Sequence, residues 1–368
     1  MKSKVFFTDF RTSQGNGIYD KLDRIFEESG LGDIDFEGKF TAIKLHFGER
    51  GNLAFLRHQY CSKLVDFIKA RGGKPFLTDC NTLYTGSRTN ALDHLDTATD
   101  NGFNPLTCHA NVIIADGLKG NDEVEIPVEG AVYCPTAKIG KAIAEADIII
   151  SLTHFKGHEA TGFGGTFKNL GMGCGSRAGK KDQHSSGKPM VHEEKCIACK
   201  KCVTVCAHDA QDFSSGKCFI DQDKCVGCSR CIEVCPTGAI YKTGDEDFSI
   251  LNRKIAEYTK AVINGKPNFH ISVVMDISPY CDCYNYNDAP IVPDVGIFAS
   301  SDPVALDQAC ADEVNKMPVI GNSRLGEMPH THHDHFTDSH PNTNWREGIA
   351  WGEKLGLGSK DYELIKLK

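Results

Sequence analysis

The sequence predicts an α/β protein in which a layered, mostly parallel sheet is split by a short, cysteine-rich α+β insert. Three observations point there. Strand-like and helix-like stretches alternate up to about residue 189, the alternation resumes after about residue 244, and eight of the seventeen cysteines fall between Cys196 and Cys235. Such alternation favours βαβ units on a layered sheet. A segment of different character between two halves of one pattern reads as an insertion. The expected division is a host domain formed by 1–189 and 244–368, and an insert formed by 190–243.

In chain order, apolar runs rich in β-branched residues predict strands at Lys4–Thr8, Thr41–Leu45, Pro75–Thr78, Asn111–Ala115 and Ile148–Leu152. Apolar residues at helical spacing predict helices at Tyr19–Ser29, Leu56–Ala70 and Lys138–Ala146. Beyond the insert come a helix near Leu251–Ile263, strands near Ile271–Met275 and Val295–Ala299, and a helix from Pro303, with Asp302 as its cap. GKPMV and YKTGDED supply the glycine, proline and charge suited to the seams.

The 368 residues are 40% hydrophobic and 24% charged, an ordinary globular composition. A net charge of -8 gives no electrostatic footprint for nucleic acid or an anionic membrane, so neither is an expected partner. No apolar run approaches the roughly 18 residues a membrane span needs, and MKSKVFFTDF lacks the apolar core of a signal peptide. A cytoplasmic, soluble protein is expected. In that setting seventeen cysteines point to metal or redox chemistry and not to disulfides.

Their spacing says which. Cys196-x2-Cys199-x2-Cys202-x3-Cys206 is repeated as Cys225, Cys228, Cys231 and Cys235, the latter followed by Pro236, at a constant offset of 29 residues (196 to 225, 206 to 235). This is the bacterial two-cluster ferredoxin pattern, in which the fourth cysteine of each run ligates the other cluster. Two 4Fe-4S clusters are therefore expected, one on Cys196, Cys199, Cys202 and Cys235, the other on Cys225, Cys228, Cys231 and Cys206. Three thiolates on one tight loop can face a single cubane, and the fourth must come from elsewhere to close the cage. Ala207 stands where a proline normally follows, a change in the turn and not in the ligands. Structural zinc would need only four cysteines per site, at other spacings. Cys218, between the halves, reads as a buried thiol of the connecting hairpin.

Ligands of open α/β sheets bind beyond the carboxyl ends of the strands. His46 and Glu49 follow one predicted strand, Asp79 and Cys80 another, His154, Lys156 and His158 a third, and Asp276 ends a fourth with Cys281 and Cys283 close behind. Singly, each is an ordinary loop residue. Together they form a site expectation. Beyond His158 the glycine-rich stretch around Lys168 can converge backbone N–H groups on a phosphate or carboxylate. It carries neither the GK[ST] of a Walker loop nor a dinucleotide fingerprint, so no flavin or nicotinamide site is marked. The same stretch would otherwise only let chain segments approach closely. Cys174, Cys281 and Cys283 are candidate ligands of an additional metal centre or redox groups. Cys61, Cys108, Cys134 and Cys310 read as packing. The tract HTHHDHFTDSH, with His330, His332, His333, His335 and His340, reads as a solvated loop sooner than a metal site.

Four stretches carry a family resemblance: LHFGERGN (Leu45–Asn52), TDCNTLYTG (Thr78–Gly86), HFKGHEATGFGGTFKNLGMGCGSRAGK (His154–Lys180) and YCDCYNYNDAPIVPDVGIFASSDPVALDQA (Tyr280–Ala309). The chain resembles the family known as domain of unknown function 362, often fused to a two-cluster ferredoxin segment. That resemblance implies the fused arrangement and no particular activity.

The function expected from these features is an anaerobic-type iron-sulfur oxidoreductase. Its insert would pass single electrons between a redox partner protein or small electron carrier and a site in the α/β domain. His46, Lys156, His158 and Lys168 would bind or protonate an unknown small-molecule substrate there. The rival is a non-enzymatic electron-transfer adaptor or metallocofactor maturation protein. An enclosed polar pocket favours the enzyme, and a flat thiolate surface the carrier.

Overall fold

The computed structural model describes residues 2–245 and 247–367. Eight strands form the main sheet: β1 (Ser3–Asp9), β2 (Phe40–Lys44), β3 (Lys74–Asp79), β4 (Val112–Ile114), β5 (Ile148–His154), β6 (Asn268–Val274), β7 (Gly296–Ser300) and β8 (Tyr362–Lys366), in the order β8-β1-β7-β6-β5-β2-β3-β4. Only β7 is antiparallel to its neighbours; every other pair is parallel. The carboxyl ends of β2 to β6 therefore share one edge.

The central strand β5, IIISLTH, is buried at every position, as a strand covered on both faces must be. Its side chains alternate between layers. Ile148, Ile150 and Leu152 join the core under the helices Ile18–Glu28 and His58–Lys69, while Ile149 joins the opposite layer under helix Ser249–Ile263. Helices Pro303–Asn315 and Trp345–Lys354 complete that second face. Asp302 caps the former as its sequence suggests, accepting from the Val304 and Ala305 amides at 2.8 and 2.9 Å.

One predicted element is different. Lys138–Ala146 is not a single helix: Thr136–Gly140 pairs with Glu123–Pro127 as a hairpin, and only Lys141–Glu145 is helical. Ala137 and Ile139, two apart, are both fully buried, a strand periodicity that the helical reading overlooked. The closing strand β8, YELIK, is a further element absent from the predicted strands: Leu364 and Ile365 stand side by side, so it lacks the strict alternation that marks a strand in sequence.

Between Lys188 and Thr243 the chain leaves the sheet. Strand Pro189–Val191 pairs with Ile240–Lys242, and the Thr243 hydroxyl reaches the Lys188 carbonyl at 3.4 Å, so the two crossings lie side by side. Glu246, in the seam beyond, lies outside the described residues. The intervening segment has an apolar cluster of its own, with Cys196, Cys202, Cys218, Cys225 and Cys231 beside Ala210, Ile220, Ala239 and Ile240. The sequence duplication recurs in the backbone. Left-handed φ angles fall at Ala198 and Lys200 (55° and 60°) and again at Gly227 and Ser229 (78° and 64°), each pair preceding a one-turn helix, Lys201–Thr204 or Arg230–Glu233. Glycine is required only at Gly227, where a Cβ would collide with the His184 carbonyl of the host. Among the described residues no helix is long and apolar enough to cross a membrane.

Candidate functional site

Beyond the carboxyl ends of β2, β3, β5 and β6 lies a cavity of about 230 Å3. His46, Asp79, Cys80, His154, Lys156, His158, Lys168, Cys281 and Cys283 all line it, so loops hundreds of residues apart in sequence converge as the strand-end rule requires.

Its floor is a buried ionic lattice. Lys44, on β2, meets Asp79 at 3.0 Å and the Asn169 side-chain oxygen at 2.9 Å. Arg88, 1% exposed, reaches Glu49 at 3.1 Å and Asp79 at 3.5 Å, and donates to the Tyr84 hydroxyl at 3.0 Å. Burial alone would raise the Asp79 pKa, but Lys44, His94, His46 and Arg88 outweigh it and hold the carboxyl well below the usual range. Burial, aided by the Arg88 charge, drives His46 well down, so it stays neutral, and its Nδ1 accepts the Gly48 amide at 2.9 Å.

A second lattice fixes the Cys281–Cys283 loop. Asp282, between the cysteines, meets His154 Nδ1 at 2.8 Å and Lys156 Nζ at 3.3 Å, while His154 Nε2 lies 2.7 Å from the Met275 carbonyl. Against the burial that would raise it, His154 and Lys156 bring the Asp282 pKa down to about 2. Lys156 is pushed up in turn: burial opposes its charge, but Asp282 and Cys281 prevail. Cys281 is held well below the ordinary thiol range, chiefly by the Cys283 hydrogen bond, with His158 and Lys168 adding to it against burial; Cys283 is raised correspondingly. His158 Nδ1 accepts the amides of Ala160 and Thr161 at 3.0 and 3.2 Å. Lys168 opens a five-residue π-helical turn, Lys168–Met172, of the kind that often marks functional sites.

The insert supplies the remaining wall, through Cys228, Ser229, Arg230, Ile232 and Glu233. The Arg230 guanidinium sits between the rings of Tyr84 and Tyr284, 4.1 and 4.3 Å from their centroids, and donates to the Cys283 carbonyl at 3.0 Å. Glu233 accepts the Tyr284 hydroxyl at 2.5 Å; burial, then the charge of Glu159, pushes its pKa up to about 8. Arg230, Glu233, Tyr84, Tyr284, Lys44 and Arg88 escaped sequence reasoning. The one available signal was the charged pair Arg230 and Glu233 inside the second cysteine run, a run short enough that they must face something other than their own core.

Two smaller cavities lie within the insert. One is lined by Cys196, Cys199, Cys202 and Cys235, together with Cys218; the other by Cys225, Cys228, Cys231 and Cys206. Each thus gathers three cysteines of one run and the fourth of the other. Cys218 is buried, with its Sγ 3.7 Å from that of Cys202 and its amide donating to Cys196 Sγ at 3.4 Å. Cys228 and Ser229 line both the second small cavity and the large one.

Three expected site residues lie elsewhere. Cys174 is fully buried in the apolar layer with Cys134 and Ile149, burial raising its thiol to about 12, and it is not among the residues that line the cavity with Cys281 and Cys283. Among the described residues no group of three or more His, Cys, Asp or Glu is placed to hold a single metal ion. Glu49 is spent on Arg88, and Asp276 pairs with Arg57 at 3.0 Å near the surface. In the histidine tract, His332 faces Asp338, His335 the Met317 carbonyl and His340 the Pro279 carbonyl, each a structural contact.

The fold and site define a class: α/β proteins with a cavity, lined by charged and apolar residues, at the carboxyl edge of a mostly parallel sheet and a cysteine-rich segment forming one wall. Residues 41–312 match the family model described as domain of unknown function (DUF362), and the chain belongs to that family. No curated protein matches it. Among solved structures, lactate racemase apoprotein from Thermoanaerobacterium thermosaccharolyticum is similar at 14% identity and a TM-score of 0.40, over 74% of this chain and 51% of that one. A protein from Thermotoga maritima is similar at 12% identity and a TM-score of 0.37, over 70% and 50%. The chain therefore spans about half the length of each.

Proposed function

We propose that the chain is an iron-sulfur oxidoreductase: residues 189–242 form a ferredoxin-type insert holding two 4Fe-4S clusters, and electrons pass from it to a small substrate in the strand-end cavity. The observation that carries this reading is the shared wall, since Cys228 and Ser229 line both the second cysteine cavity and the large one. The donor sets fit. Each small cavity offers four cysteines in the three-plus-one arrangement that crossed ligation demands. Such clusters supply electrons singly and at low potential.

The chain's own residues do the rest. Lys168 offers a cation to an anionic substrate group, His158 and neutral His46 line the same cavity as proton-exchanging groups, and Asp282 and Asp79 hold Lys156 and Lys44 beside them. A cavity of about 230 Å3 lined by several ionisable groups supports this enzyme reading over an electron-transfer adaptor or maturation protein. Anaerobically purified protein is expected to hold about eight iron and eight acid-labile sulfide per chain, four for each cluster. Zinc without iron in the native protein would defeat the assignment.

The same reading makes the insert separable. Because Lys188 and Thr243 lie side by side, replacing 189–242 with a two-residue glycine linker should leave a host that melts cooperatively. A product without a cooperative transition would show that the two parts share one core.

A further inference from the structure

We propose that Cys281 and Cys283 form a redox-active dithiol that reduces a small disulfide carrying an anionic group; its resetting step rests on the cluster assignment above. The geometry of the loop is the first reason. A turn closed by the Tyr284 amide on the Cys281 carbonyl, at 3.1 Å, sets the two cysteines, two residues apart, in the wall of one cavity. The residue between them is pinned away: the Asp282 side chain is locked by His154 and Lys156, and its carbonyl accepts the Glu49 amide at 2.8 Å. Arg230 of the insert holds the Cys283 carbonyl. With the loop backbone held by these contacts, both cysteines line the cavity.

The surroundings suit thiol-disulfide exchange better than packing. His158, whose Nδ1 accepts two backbone amides and so carries its proton on Nε2, lines the same cavity as Cys281 and, with Lys168, favours its thiolate. A stabilised thiolate is the nucleophile such exchange requires. Substrate class follows from charge and size. Lys44 and Lys156 have carboxylate partners and Lys180 is tied to the Gly173 and Gly175 carbonyls, but Lys168 has no hydrogen-bond or ion-pair partner among the described residues. A cavity of about 230 Å3 admits a small molecule and no protein loop. Exposed Asn342 belongs to its lining, so the cavity reaches solvent.

The chemistry balances as follows. Cys281 thiolate attacks one sulfur of the substrate disulfide, forming a mixed disulfide and releasing the first thiolate, which takes the Cys283 proton. Cys283 thiolate then attacks the Cys281 sulfur, closing the Cys281–Cys283 bond and releasing the second thiolate, which is protonated by water. Two electrons and two protons return the pair to the dithiol. The electrons originate in a low-potential one-electron carrier and enter through the insert.

The probe is 3,3′-dithiodipropionate, with uncharged 2,2′-dithiodiethanol as control, on anaerobic protein of known iron content. Alkylation and peptide mapping should show Cys281 linked to Cys283 after one equivalent of probe. Cys283→Ser should trap one mercaptopropionate on Cys281, and Cys281→Ser should trap none. Lys168→Met should weaken the Cys281 thiolate for both probes alike, and should in addition raise the KM for dithiodipropionate about tenfold relative to that for dithiodiethanol, the loss of one charge-assisted contact. Iron-replete protein that yields neither linkage nor adduct overturns the dithiol while the cluster assignment stands. Linkage and adduct in protein that binds no iron support the dithiol and overturn the clusters. Equal response to both probes in Lys168→Met overturns the anionic substrate class.

Discussion

Cys206→Ala should lose about half of the iron, and the cluster it loses should be the one beside the strand-end cavity, not the one nearest in sequence. Cys206 follows Cys196, Cys199 and Cys202 along the chain, yet it lines the cavity of Cys225, Cys228 and Cys231, while Cys235 completes the other. Crossed ligation makes the remote run the victim of a local substitution. Iron analysis with electron paramagnetic resonance of the reduced protein reads the outcome, and Cys235→Ala supplies the mirror experiment. Since Cys228 also borders the large cavity, Cys206→Ala should impair any reaction there far more than Cys235→Ala does. Equal damage to both clusters, or loss of the Cys196 cluster alone, would reject the crossed arrangement.

Arg88→Met should be among the most destabilising substitutions outside the apolar core, by about 3–5 kcal/mol, because it leaves buried carboxylates without their counter-charge. Arg88 answers both Glu49 and Asp79, and all three side chains are buried. Arg50→Met, which breaks an exposed pair with Asp100 at 2.6 Å, should cost less than about 1 kcal/mol. Denaturant midpoints of the two variants against the parent make the comparison. The pH dependence has a definite sign. Asp79 and Asp282 both have folded-state pKa values depressed below the unfolded value of about 3.9. Their stabilisation is complete above that pH and is lost as pH falls towards about 2 for Asp282. The parent should therefore weaken steeply in that acid range, and Arg88→Met less so, having less favourable charge to lose.

Most of the sheet was legible in the sequence because its strands are short apolar runs buried on both faces, as at Ile148–Leu152, and its helices carry one apolar stripe. Lys138–Ala146 misled because Ile139 and Ile143 are four apart as well as buried, so strand and helix periods coincide there. The strand-end rule found His46, Lys156, His158, Cys281 and Cys283 without any knowledge of their contacts. It could not find Arg230 or Glu233, whose roles depend on how the insert leans against Tyr84 and Tyr284, a docking that no local pattern encodes. Cys174 failed as a site residue for a related reason: glycines around it suggested an open loop, but the chain there is a buried turn whose side chain faces the apolar layer.

Anomalous scattering at the iron edge from an anaerobically grown crystal tests the central assignment most directly. Two compact four-iron peaks are expected, one enclosed by Cys196, Cys199, Cys202 and Cys235, the other by Cys225, Cys228, Cys231 and Cys206, with the second adjoining the cavity of Cys281 and Cys283. Single-atom peaks in the insert, or a four-iron peak whose ligands are Cys196, Cys199, Cys202 and Cys206 together, would contradict it.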